Sequence, residues 1–298
     1  MASPLASIIV LTHDRSTLLP LSVASALAQT VSDIEVLILG DGVTEETRAS
    51  ATELTSDPRV RFLDYPKGPH RGEIHRDTAI REARSNAIFY LCDDDLLLPR
   101  HVESLLELLR DHTFVQSKNC WVDAAGALRP VIADLSSPTT IAWHLRDDLE
   151  YNAASITGTA HRRDFYLQSH APWATTPPGF WPDHYQWRKL FVQPAFSGAT
   201  SATVTALQFP NTLGHRAGWT EAENLVELNR WAALIARRDS EAVVEELYRD
   251  GIGFELEQMV FRCYEAEREL LAIRGTRSWR WSSPLRRLRG RLRPRPSA

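Results

Sequence analysis

Cysteine is scarce in this sequence. Cys92, Cys120 and Cys263 are all that the 298 residues contain, and they stand far apart. Neither a disulfide framework nor a cysteine zinc site is expected from them. A dominant charge is lacking too: the formal net charge of -4 gives no reason to expect a nucleic-acid partner. No basic segment followed by a long apolar run opens the chain, whose first apolar stretch is only Ile8-Ile9-Val10-Leu11. Neither a signal peptide nor a membrane-spanning helix is expected, and a reducing cytoplasm fits best. No G-x-G-x-x-G follows any apolar run, which excludes the dinucleotide fingerprint. No internal repeat and no low-complexity block precedes the basic C-terminal stretch.

What is present is an ordinary globular balance, 43% hydrophobic and 24% charged, enough for one large α/β domain or a domain with an appendage. Short apolar runs at Ser7 to Thr12, Ile34 to Leu39, Val60 to Leu63 and Ala87 to Leu91 read as buried strands. Between and after them lie helical patterns, with Pro99 in the first turn of a helix carrying Val102, Leu105, Leu106 and Leu109. This alternation predicts a mainly parallel sheet covered on both faces. Ligands bind such sheets at the carboxyl ends of strands. The polar clusters Thr12 to Arg15, Gly40-Asp41-Gly42 and Asp93-Asp94-Asp95 lie there. Beyond residue 112 the rhythm changes. Thr113 to Val122 and Leu128 to Ile132 are predicted to form a hairpin around Ala124-Ala125-Gly126. Ala171 to Pro182 reads as an ordered loop and Ser201 to Phe209 as a strand. Helices at about 221–237 and 240–272 follow, the first opened by a capping box of Thr220 and Glu223.

Three adjacent carboxylates raise one another's pKa unless a cation neutralises them. A hard divalent ion bridging carboxylates to substrate phosphates is the usual remedy. The other reading is that Asp94 and Asp95 cap the helix near Pro99 while Asp93 is solvated. Asp41 could accept hydrogen bonds from a nucleobase or ribose, or could serve a turn. Asp14 and Arg15 read as ligand groups or as helix-start residues. Of Arg71, Arg76, Arg81 and Arg84, Arg76 is the one expected to reach a ligand, since arginine matches phosphate geometry. Trp173, Phe180, Trp181 and Trp187 could stack on a sugar ring or belong to the core. His161, His184 and His215 are assigned no metal role.

The ordered segments SIIVLTHDR, DIEVLILGDG, the arginine-bearing stretch from Arg71 and FYLCDDDLLLP resemble the inverting family 2 glycosyltransferases, over roughly the first 110 residues. The resemblance implies an α/β GT-A fold, a mainly parallel Rossmann-like sheet flanked by helices, here with a helical C-terminal extension. It implies donor-binding roles for Thr12, Asp14, Arg15, Asp41, Arg76, Asp93 and Asp94, and a manganese or magnesium ion on Asp93 and Asp95. The family more often has Asn-Arg where this chain has Asp14-Arg15, and its arginine is usually followed by Asn rather than Asp77. The family's catalytic base opens a helix in the second half, and Asp183 in Trp181-Pro182-Asp183-His184 matches best, ahead of Asp164 and Asp134. Asp183 is also read as the N-cap of that helix, with an ordinary pKa near 4 that leaves it ionised at neutral pH.

Ser278-Trp279-Arg280 and the residues to Arg286 resemble a C-terminal segment of bacterial cell-surface polysaccharide glycosyltransferases. Tryptophans followed by leucine-arginine alternation suit a membrane interface, so peripheral contact with an anionic membrane, at its inner face, is expected; a nonspecifically sticky tail is the alternative. The expected organisation is a glycosyltransferase domain over 1–219, with a nucleotide-sugar half (1–112) and an acceptor half (113–219). A helical extension (220–275) and a basic tail (276–298) follow. The resemblance implies sugar transfer from a nucleoside-diphosphate sugar to a saccharide or lipid-linked acceptor hydroxyl in cell-surface polysaccharide or glycoconjugate synthesis. Two rivals are a nucleotidyltransferase, for which no Gly-rich phosphate loop is visible near the N-terminus, and a nucleotide-sugar-binding protein without turnover.

Overall fold

The computed structural model describes residues 3–148, 151–211 and 216–275. The chain divides into two compact units, residues 1–251 and 252–298. The first begins with β1 (Ala6–Thr12), α1 (Leu19–Leu27), β2 (Ile34–Asp41), α2 (Glu45–Leu54), β3 (Val60–Tyr65), α3 (Glu73–Glu82) and β4 (Ala87–Cys92). The short β5 (Leu96–Leu97), then α4 (His101–Leu108), β6 (Phe114–Gln116), β7 (Asn119–Val122), β8 (Leu128–Val131) and α5 (Pro138–His144) come next. Then come β9 (Thr159–Arg162), α6 (Arg163–Gln168), α7 (Pro182–Phe191), β10 (Gly198–Thr200), β11 (Ala206–Leu207) and α8 (Glu221–Ile235). Last is α9 (Ser240–Gly275), which runs on into the second unit.

A seven-stranded sheet, ordered β10-β6-β9-β4-β1-β2-β3, is the centre. Its middle strands are apolar on both sides because both sides are covered. Val10, Ile38 and Phe89 face one layer with Leu19 and Val23 of α1 and Val102 and Leu105 of α4. Ile9, Leu37 and Tyr90 face the other, with Ile80 of α3 and Trp187 and Leu190 of α7. β1 is parallel to both neighbours, Thr12 lying opposite Gly40 and Leu11 opposite Cys92. This register brings the carboxyl ends of β1, β2 and β4 to one edge, and the polar clusters with them. The expected α/β GT-A architecture is present, with its helical C-terminal region.

Several local expectations need correction. The second strand runs two residues past Leu39, so that Asp41 ends it, where it was expected. Only Asn119–Val122 and Leu128–Val131 form the hairpin; Phe114–Gln116 instead joins the main sheet beside β9 and β10. The strand expected over 201–209 shrinks to Ala206–Leu207, paired with β5. Pro99 lies before α4, whose N-cap is Arg100, so Asp94 and Asp95 do not cap it. The capping box of Thr220 and Glu223 is formed in full.

Candidate active site

One cavity of about 850 Å³ lies at the carboxyl edge of β1, β2 and β4. Thr12, Asp14, Arg15, Asp41, Arg76, Asp93, Asp94, Asp95 and Asp183 all line it. Residues from five separate stretches of the chain thus share one enclosure. Asp164 pairs with Arg162, 2.7 Å away, and accepts the Phe165 N–H; Asp134 closes a turn with Ser136. Neither is among the residues lining the cavity.

The aspartate run is the most strongly perturbed part. Burial first, then Asp94, pushes the Asp93 carboxyl up, against Thr12 and Arg15. Burial and Asp94 likewise raise Asp95, although its Oδ1 accepts the Phe209 N–H at 2.7 Å. Asp94 is raised by burial while Arg15, 3.8 Å away, and Arg216 oppose the shift. Asp94, Asp95 and Cys92 each bring one potential ligand atom within 4.8 Å of the others, while Asp93 lies toward Thr12 and Arg15. Burial pushes the Cys92 thiol up, so the hard donors that a cation would meet at this edge are the carboxylate oxygens. Enclosed like charges and hard oxygen donors fit a divalent cation such as manganese or magnesium.

Asp41 sits under a folded segment. Burial opposes its ionisation, but Lys67, the Gly68 N–H and His75 outweigh it and hold the carboxyl below its ordinary range. Lys67 Nζ reaches Oδ2 at 2.5 Å, and the Gly68 N–H donates to Oδ1 at 2.6 Å. This packing needs Gly72 at φ 64°, where an added Cβ would collide with the Asp41 carboxylate.

Arg76, on α3, is buried, with its guanidinium over the Trp173 ring at 4.8 Å. Its Nη1 has no hydrogen-bond partner among the described residues. Trp173 is fixed in turn by donating to Tyr90 Oη, which also bonds His161 Nε2 at 2.7 Å. An enclosed cation with a spare donor is a ready partner for an anionic ligand group. Arg71 lines the cavity as well, over Trp181 at 5.4 Å, so more than the one expected arginine is present. Arg81 pairs with Asp77, and Arg84 approaches Glu35, away from the cavity.

Asp183 lies in the first turn of α7 but is not its N-cap; Trp181 holds that position, followed by Pro182. Asp183 Oδ1 accepts the His184 N–H and Oδ2 accepts Asn152 Nδ2, each at 2.9 Å. Its pKa is not ordinary: burial raises it, against these bonds and Arg76. Of the four aromatic residues, Trp187 and Trp173 are buried and Phe180 and Trp181 are exposed, so the group divides between core and surface. His161 is locked under Tyr90, and His184 is interlocked with His144 through each other's carbonyls. His215 lies outside the described residues.

Sequence reasoning missed Lys67, Asn152 and Arg216. Arg216 is 1% exposed, donates to the Val122 carbonyl at 2.6 Å and faces Asp94 and Asp95. The basic, glycine-bearing stretch Lys67 to Gly72 after β3 was a usable signal; nothing local to Arg216 was.

Residues 7–123 match the family described as Glycosyl transferase family 2. This stretch is a family 2 glycosyltransferase domain. The chain is similar to chondroitin synthase of Escherichia coli, with 38% identity over 108 residues, covering 36% of this chain and 16% of that protein. It therefore spans a small part of that relative's length. The fold resembles that of S. aureus TarS residues 1-349, with a TM-score of 0.56 and 13% identity, covering 83% of this chain and 70% of that one. It also resembles the mannosyltransferase PcManGT from Pyrobaculum calidifontis in complex with GDP-Man and Mn2+, with a TM-score of 0.51 and 13% identity, over 95% of this chain and 84% of that one. The family 2 match ends before α5, so Asp183 lies beyond it.

Proposed function

We propose that this chain is an inverting glycosyltransferase that moves a sugar from a nucleoside-diphosphate sugar to an acceptor hydroxyl. The observation that carries the reading is the shared cavity, in which the β1, β2 and β4 ends meet Asp183 from the other half of the chain. Thr12, Asp14, Arg15 and Asp41 surround the nucleoside, while Arg76 offers its charge and unpartnered Nη1 to the diphosphate. Asp94 and Asp95 would hold manganese or magnesium, in place of the expected pair Asp93 and Asp95, because Asp93 lies toward Thr12 and Arg15. The metal, when bound, offsets negative charge on the departing diphosphate. The presence of Mn2+ in the PcManGT complex supports this assignment.

Asp183 removes the acceptor proton. Its raised pKa improves a carboxylate as a base while Arg76 and Asn152 favour the ionised form. The freed oxygen attacks the anomeric carbon on the face opposite the diphosphate, and configuration inverts. Similarity to a polysaccharide synthase supports a saccharide or lipid-linked acceptor in polysaccharide synthesis. Peripheral attachment through the basic tail falls on residues 276–298, outside the described residues; among those described, no helix is long and apolar enough to cross a membrane.

The test is Asp183→Asn. Turnover is expected to fall by about 10²–10⁴-fold with donor affinity retained, the usual range for general base catalysis. Sugar transfer at the wild-type rate would remove Asp183 from the chemistry.

A further inference from the structure

From Ile252 onward, α9 carries a pattern that sugar transfer does not use. Leu256, Met259, Cys263, Ala266, Leu270 and Ile273 recur at alternating spacings of three and four. A 3.5-residue period of this kind is the seam of a left-handed coiled coil, with Leu256, Cys263 and Leu270 at its a positions. Leu256, Met259 and Leu270 are 47%, 50% and 41% exposed. A long helix presenting such a row to water calls for a partner.

The charges flanking the seam identify the partner. Arg262 and Glu269 occupy g positions; Glu267 and Arg274 occupy e positions. In a parallel, in-register pair each g residue meets the e residue of the next heptad on the other chain. Arg262 then meets Glu267 of a second copy, and Glu269 meets its Arg274. Symmetry doubles both contacts, and all are attractive. An antiparallel pair with Cys263 opposite Ala266 retains only the Arg262–Glu269 contact. In the single chain Arg262 reaches its own Glu255 at 3.8 Å and the Gln258 carbonyl, exposed contacts that are readily exchanged. Residues 252–275 contain five glutamates against three arginines, a balance that disfavours an anionic lipid surface as the occupant.

We propose that α9 from Ile252 onward pairs with the same helix of a second copy as a parallel two-stranded coiled coil, making the protein a homodimer. The full chain at tens of micromolar is expected to sediment at twice its 33.7 kDa mass. Leu256→Glu combined with Leu270→Glu should yield a monomer. Arg262→Glu should weaken the dimer by roughly tenfold, because it sets like charges across the seam. Adding Glu267→Arg to the same chain should restore it, because the reversed charges again meet in trans; this pair of variants stands even if the seam variant misfolds. Cys263 is the exposed thiol and sits on the seam, so diamide should yield a covalent dimer that Cys263→Ser lacks. A single-chain mass, a three- or four-chain mass, or an Arg262→Glu loss that Glu267→Arg does not restore would overturn the proposal.

Discussion

Asp93 carries a penalty in the ligand-free protein. Its folded pKa is pushed up to about 8 by burial and by Asp94, against about 3.9 in an unfolded chain. The folded state therefore binds this proton more tightly than the unfolded state. Its destabilising effect is absent below about pH 4, grows as pH rises, and is complete above about pH 8. Asp93→Asn should raise the melting temperature of the metal-free protein, and by more at pH 8 than at pH 5. Thermal melts at the two pH values check this, and an equal effect at both would contradict the enclosure of Asp93. At this scale the sequence was legible where chemistry is written locally. A triple aspartate at a strand end implies mutual repulsion whatever the rest of the fold does, while its enclosure came only with the fold. Arg216 was not legible, because its relation to Asp94 and Asp95 exists only once distant parts of the chain have packed. Asp183 was half legible: its place beside the cavity was foreseen, its capping role was not found. Proline has no N–H and suits the first helical position, which makes the preceding Trp181 the cap and puts Asp183 two positions inward from it.

At the scale of elements, the segment from Lys67 to Gly72 is the clearest case of loop chemistry serving a strand end. It places an ammonium and a backbone N–H on Asp41, and Gly72 allows it through a left-handed conformation and a missing Cβ. Gly72→Ala should cost about 1–2 kcal/mol from the left-handed backbone alone. The steric conflict with Asp41 should also lower donor affinity by roughly tenfold. Melting temperature and donor titration on the same sample measure both; an unchanged donor affinity would mean that this segment does not shape the pocket. Strands β1, β2 and β4 were readable because both faces are buried and the apolar run is unbroken. β10 was not, and β6 and β11 were read only as parts of longer strands, because three or two residues carry no period to recognise. Thr113 to Val122 looked like one hairpin arm, yet Phe114–Gln116 is claimed by the main sheet and only Asn119–Val122 by the hairpin.

At the scale of the first unit, one cavity joins an N-terminal half that the family similarity covers to a second half that it does not. The first half was legible because strand-helix alternation repeats and the register aligns the strand ends. In the second half Asp183, Asn152 and Trp173 come from loops and short elements whose meeting point no local pattern encodes. The proposed transfer requires this joining, with the acidic edge taking the donor and Asp183 the acceptor. Calorimetric titration with a panel of nucleoside-diphosphate sugars, with and without manganese, tests it most directly on the wild-type protein, Asp95→Ala and Asp183→Asn. The account requires donor binding that depends on the metal, loses that dependence in Asp95→Ala and persists in Asp183→Asn. Binding that ignores manganese in the wild type, or that is unchanged in Asp95→Ala, would contradict it.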